Sequence, residues 1–151
     1  MRTLLFALTH FLAGLTLIGA DSAPIKVRLP DYKAITLENG ITLFLMERHE
    51  LPIASFKWIM PSGGAISDPV GKEGLAMLTA QMLRRGAAAR TAIQISEAVD
   101  FVGGTLDFGT SQEFAYGEAE FVKKDLDLGL ELLADTLLKP TFPQEELKKM
   151  I

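Results

Sequence analysis

The feature that most restricts how this chain folds is a change of hydrophobic period at Gly103-Gly104. Before the glycine pair, Ala92, Ile95, Val99 and Val102 recur at helical spacing, which makes one stripe of that helix a buried surface. Thr91 and Gln94 fit a capping box at its start. After the pair come two β-rich stretches, residues 105–110 and 114–122. Helical spacing then returns over residues 124–138, where Leu126, Leu130, Leu133 and Leu137 form the expected buried face and Pro140 stops the helix. Helix, strand, strand and helix in succession fit a layered arrangement, with helices packed against a sheet.

The upstream segments extend the same scheme. Residues 32–46 read as a β-hairpin about Asn39-Gly40, a dipeptide suited to a type I′ turn, with Ile41, Leu43 and Leu45 alternating on one face. Residues 52–60 read as a further strand ending at Pro61-Ser62-Gly63-Gly64. Asp68-Pro69 is expected to open a helix and Arg84-Arg85-Gly86 to close it with cations and a left-handed glycine, placing Leu75, Leu78, Met82 and Gly86 on one face. Pro143 with Glu145-Glu146 begins a fourth helix. The chain ends inside that helix, which points to a fragment or a truncated reading frame. The predicted class is α+β, a mainly antiparallel sheet with helices packed on one face.

Composition narrows the function classes. With 151 residues, 48% of them hydrophobic, the chain supports one modest core. The net charge is −4 and the longest basic runs are pairs, so no nucleic-acid partner is expected. The absence of cysteine excludes disulfides, thiol nucleophiles and thiolate-bound metal. Residues 1–20 read as a signal peptide, with Arg2, an apolar run over residues 4–18 and small residues at Gly19-Ala20. Residues 21–31 form an extension and residues 32–151 the folded domain. Export follows, with a bacterial periplasm the best fit and no membrane span after cleavage.

The stretch Ser67-Asp68-Pro69-Val70-Gly71-Lys72-Glu73-Gly74-Leu75-Ala76 resembles the approach to the active site of M16 metallopeptidases, the insulinase-like and mitochondrial-processing-peptidase-like family. There, a similar run leads into the inverted zinc motif H-x-x-E-H. Gly86, the helix ending at Gly103-Gly104, the strand bearing Tyr116, and Leu132-Leu133-Ala134-Asp135 through Pro140, Phe142 and Pro143 resemble the family's N-terminal half-domain in order and spacing. The resemblance implies a LuxS-like metalloenzyme half-domain, incomplete at its C-terminus.

The motif places two histidines at i and i+4 on one helix face to bind zinc, and a glutamate to deprotonate the zinc-bound water. Here Met77, Ala80 and Gln81 stand at those three positions. A thioether and a neutral amide are poor zinc ligands, and alanine takes no proton. Zinc is the cofactor the family implies, but its ligands are absent, so no catalytic or metal-binding residue is assigned. The further glutamate ligand of the family would fall at or just past Ile151.

Elsewhere the candidates are weak. After the leader the single histidine is His49, in the charged turn Glu47-Arg48-His49-Glu50. Ser62-Gly63-Gly64 reads as a strand-end turn rather than a nucleophile loop. Asp125, Asp127, Glu131 and Asp135 read as a solvated acidic face, and Asp107 with Glu113 as an acid/base pair only if the fold joins them. Resemblance to the family also implies that Leu106, Asp107, Phe108 and Gly109 bind peptide by strand addition. It further implies a degenerate subunit paired with a zinc-bearing M16 homologue, acting on peptide. A stand-alone peptide-binding or structural protein, and an active zinc endopeptidase, are the alternatives.

Overall fold

A computed structural model of the protein describes residues 30–151. The expected leader and nearly all of the extension that follows it lie outside the described residues. The described residues divide into two units, one ending at Glu47 and the other Arg48–Ile151.

In the first unit β1 (Lys33–Thr36) pairs antiparallel with β2 (Thr42–Leu45), Thr36 facing Thr42. The hairpin forms where expected, but its turn is not type I′. That type needs positive φ at both central residues, and of Asn39 and Gly40 only Gly40 has it, at 85°. The Gly40 amide donates to the Leu37 carbonyl at 2.9 Å, and the Leu37 amide donates to the Ile41 carbonyl at 2.8 Å. This is a three-residue loop ending in a left-handed glycine. The Asn39 side chain instead accepts from the Ile41 amide at 3.1 Å.

The second unit contains, in chain order, β3 (Ile53–Pro61), α1 (Leu75–Met82), the short strands β4 (Gly86–Ala87) and β5 (Arg90–Thr91), and α2 (Ala92–Phe101). There follow β6 (Thr105–Thr110), β7 (Phe114–Val122), α3 (Leu126–Leu138) and α4 (Gln144–Lys148). The main sheet has the order β3–β7–β6, antiparallel throughout. Alternation divides its faces. Leu106, Ala119 and Phe121 join Val99 of α2 and Leu132 of α3 in the buried core, with Phe56 and Phe108 packed against it. Asp107, Glu118 and Lys57 lie in register across the other face, where Lys57 and Glu118 are 3.4 Å apart. The helices therefore pack on one face of an antiparallel sheet, the expected α+β arrangement.

The α2 capping box is complete. The Gln94 amide donates to Thr91 Oγ1 at 3.3 Å, and the Thr91 amide donates to Gln94 Oε1 at 2.9 Å. No helix among the described residues is long and apolar enough to cross a membrane.

Two helices depart from expectation. In α3 the buried positions are Gly129, Leu132, Asp135 and Thr136, while Leu130 is 42% exposed. The cause is steric and polar. A Cβ on Gly129 would overlap the Phe121 ring, so the helix turns its glycine inward. Thr136 can follow because its hydroxyl donates to the Leu132 carbonyl at 2.8 Å. The acidic face is likewise not wholly solvated. Asp135 is buried and accepts from Arg90 Nη1 at 2.9 Å and from Lys139 Nζ at 3.2 Å. Arg90 also holds Glu131 at 2.6 Å, and that hydrogen bond, ahead of other causes, raises the guanidinium's pKa above its ordinary value. The other departure, the start and end of α1, bears on the site and is described with it.

The two carboxylates of this network should differ in weight. Asp135→Asn strips charge from a buried acceptor of two cations and is expected to cost about 2 kcal/mol. Glu131→Gln, at an exposed partner, is expected to cost about 0.5 kcal/mol or less. Urea unfolding of the two variants measures the difference.

Candidate functional site

The site is organised by α1, and α1 is organised by Asp68. The helix does not open at Asp68-Pro69. A residue before proline is driven out of helical conformation, and Asp68 is extended, with ψ of 134°. The chain then loops through Gly71 and Gly74, both with positive φ, and the helix begins at Leu75. The Asp68 carboxylate returns to its N-terminus, accepting from the Gly74 amide at 2.7 Å and the Ala76 amide at 2.8 Å. Glu73 closes the same loop by accepting from the Gly71 amide at 3.0 Å, which holds its carboxyl below the usual pKa.

The other end also differs from expectation. The helix tightens into a 3₁₀ turn, Leu83–Arg85, and Gly86 is extended rather than left-handed. Glycine is needed there for space, since a Cβ would lie 2.5 Å from Thr141 Oγ1 and 2.8 Å from Pro143 Cγ. The buried residues of α1 are Ala80 and Met82, not Leu75, which is exposed.

The three motif positions therefore occupy a short, well-capped helix beside β6. Met77 is 44% exposed, and its sulfur accepts from the Thr110 hydroxyl of β6 at 3.8 Å. Gln81, one turn on, lines a cleft of about 390 Å³ with Arg84, Ser96, Asp107 and Phe108. Ala80 is 5% exposed and faces a separate apolar cleft of about 320 Å³ with Trp58, Leu83 and Leu137. Trp58 spans the sheet here. Its ring lies against Gly117, where a Cβ would come within 2.6 Å of the indole, and its centroid is 5.9 Å from that of Phe108.

This donor set does not fit zinc. Met77 offers a thioether already engaged by Thr110, Gln81 a neutral amide and Ala80 no donor. Among the described residues no three His, Cys, Asp or Glu side chains converge. His49 lines another cavity, with Arg48, Pro52 and Lys123.

The remaining candidates sort by geometry. Ser62 is a strand-end turn residue with φ of 62°, its amide donating to the Glu113 carbonyl at 3.1 Å. Asp107 and Glu113 do not form a pair. Asp107 accepts from Arg84 Nη1 at 2.5 Å, and Glu113 sits in the β6–β7 turn. Leu106 and Phe108 turn their side chains toward the core, which leaves β6 its backbone to offer. Among the described residues no strand pairs with its outer edge. The Asp68 cap and the Arg84–Asp107 pair went unread in the sequence. The proline after Asp68 signals the first, while nothing local signals the second.

A three-stranded antiparallel sheet is thus backed by α1, α2 and α3, with a capped helix beside a strand edge that no other described strand pairs with. The profile of the insulinase family (peptidase family M16) matches residues 51–151, and the chain belongs to that family. It is 26% identical over 119 residues to an uncharacterized zinc protease of Rickettsia bellii, covering 79% of this chain and 29% of that protein. It is 31% identical over 104 residues to the non-peptidase homolog YmxG of Helicobacter pylori, covering 69% of this chain and 24% of that protein. The fold resembles the crystal structure of a peptidase M16 inactive domain from Pseudomonas fluorescens, with a TM-score of 0.74 and 23% identity over 80% of this chain and 29% of that one. The chain thus spans less than a third of the length of these relatives.

Asp68→Ala should remove two charge-assisted caps from α1 and destabilise the unit by about 1–2 kcal/mol, with Asp68→Asn recovering part of the loss. Thermal or urea unfolding of both variants checks this.

Proposed function

We propose that the protein is a non-catalytic member of the M16 family, which binds extended peptide and works beside a zinc-bearing homologue. The observation that carries the reading is the contrast along α1. The loop and cap that set this helix against β6 are intact, while Met77, Ala80 and Gln81 replace both histidines and the general base. Water activation of the family's type has no residue to perform it. The description of the Helicobacter pylori relative as a non-peptidase homolog, and of the Pseudomonas fluorescens structure as an inactive domain, supports the same reading.

Peptide binding is assigned to β6. An added strand uses backbone amides and carbonyls, so it needs neither metal nor histidine. Leu106, Asp107, Phe108 and Gly109 supply the edge, and α1 supplies a wall. Catalysis is assigned to the partner, which carries an intact H-x-x-E-H. Export to a bacterial periplasm belongs to the same reading.

Affinity purification of the full-length protein from its native host is expected to bring down an M16 homologue with an intact motif. Recovery alone, as a monomer or homo-oligomer, contradicts the partnership and favours a stand-alone peptide-binding role. Proline at Leu106 or Phe108, in protein that remains folded by circular dichroism, is expected to abolish peptide binding. Undiminished binding contradicts the assignment to β6.

A further inference from the structure

The outer edge of β6 is open to a strand but crossed by an ion pair. Asp107 belongs to the sheet face of Glu118 and Lys57, opposite the helices, because Leu106 and Phe108 on either side of it point into the core. Arg84 comes from the 3₁₀ turn after α1, on the helix side, where its neighbour Leu83 lines the apolar cleft with Trp58. Its Nη1 nonetheless lies 2.5 Å from Asp107 Oδ1. To join the two faces, the guanidinium reaches round the outer edge of β6. Charges on an exposed edge are a common means of deterring indiscriminate strand pairing.

Arg84 also stands in the polar cleft between the end of α1, the start of α2 and β6, with Gln81, Arg85 and Ser96. The side chains of a strand laid along β6 alternate in direction, and those turned toward the helices would enter this cleft. Its charges are cationic apart from Asp107. Arg84 is 32% exposed and Asp107 61% exposed, so Asp107 is the partner that solvent can take over at little cost. Arg85 is held only loosely, 3.8 Å from Glu146.

We propose that Arg84 selects peptides with an acidic side chain, whose carboxylate displaces Asp107 and is received by the guanidinium, with Arg85, Gln81 and Ser96 as neighbouring donors. This rests on the strand-addition reading of β6. In that exchange one carboxylate replaces another on the same arginine, whereas a neutral or basic side chain gains no such contact and adds its strand with the Arg84–Asp107 pair still across the edge.

The test uses the full-length protein and an unstructured Val/Thr-rich peptide bearing one Glu, compared with Gln and Lys versions by fluorescence anisotropy. The Glu peptide is expected to bind roughly tenfold more tightly than the Gln peptide, equivalent to about 1.4 kcal/mol. Arg84→Gln should erase the difference and Arg84→Lys should keep part of it. Asp107→Asn should tighten binding of the Glu peptide by freeing Arg84. Should Arg84→Gln fail to fold, the Asp107→Asn result decides the matter, since unchanged or weaker Glu-peptide binding overturns the proposal. Equal binding of Glu and Gln peptides, or discrimination that persists in folded Arg84→Gln, also overturns it. In those cases strand addition stands if Leu106→Pro still abolishes binding of every peptide. If no peptide binds, or binding survives Leu106→Pro, the strand-addition reading fails and this proposal falls with it.

Discussion

The ring of Phe121 sets the distance between the sheet and its helices, and the placement of the candidate site follows from it. Phe121 lies on the central strand, 1% exposed, with Gly104 on one side and Gly129 of α3 on the other. A Cβ at Gly104 would fall 2.5 Å from the ring, and one at Gly129 would overlap it. Both glycines are therefore spaces shaped to one aromatic side chain. Closing them would push α3 off the sheet or displace the entry to β6. Interiors are packed too densely to absorb such a change quietly.

From that contact the site can be built outward. Gly104 leads into β6, and β6 pairs with β7 from Thr105–Glu120 to Thr110–Ala115. Thr110 then meets Met77, and Asp107 meets Arg84. Helix α1 and the 3₁₀ turn after it are thus held to β6 by a thioether contact and an ion pair, while Asp68 ties down the helix start. In the family the corresponding helix presents zinc ligands. Here the same positions hold a half-exposed thioether, a buried methyl group and a neutral amide, none of which activates water.

Much of this was legible in the chain itself because local chemistry and tertiary packing agree there. The capping box at Thr91, the stop at Gly103-Gly104 and the bounds of β6 and β7 each follow from residues within a few positions of one another. Where the two disagree, spacing misleads. The leucines of α3 suggest a stripe through Leu130, but long-range contact with Phe121 turns Gly129 inward instead. Asp68-Pro69 looks like a helix start, yet proline forces its predecessor to extend, and the aspartate caps the helix from across a loop. Arg84 and Asp107 are 23 residues apart, and only the packing of α1 beside β6 joins them. The motif positions were readable because the loop leading to them is a continuous run of sequence.

In the proposed reading, α1 is a wall beside a strand edge and not a metal centre. The most direct test of that reading is the zinc content of the purified full-length protein after equilibration with zinc and exhaustive dialysis. Far less than one zinc per chain is expected, with no chelator-sensitive peptide cleavage. One tightly held zinc per chain, together with cleavage that a chelator abolishes, would contradict it.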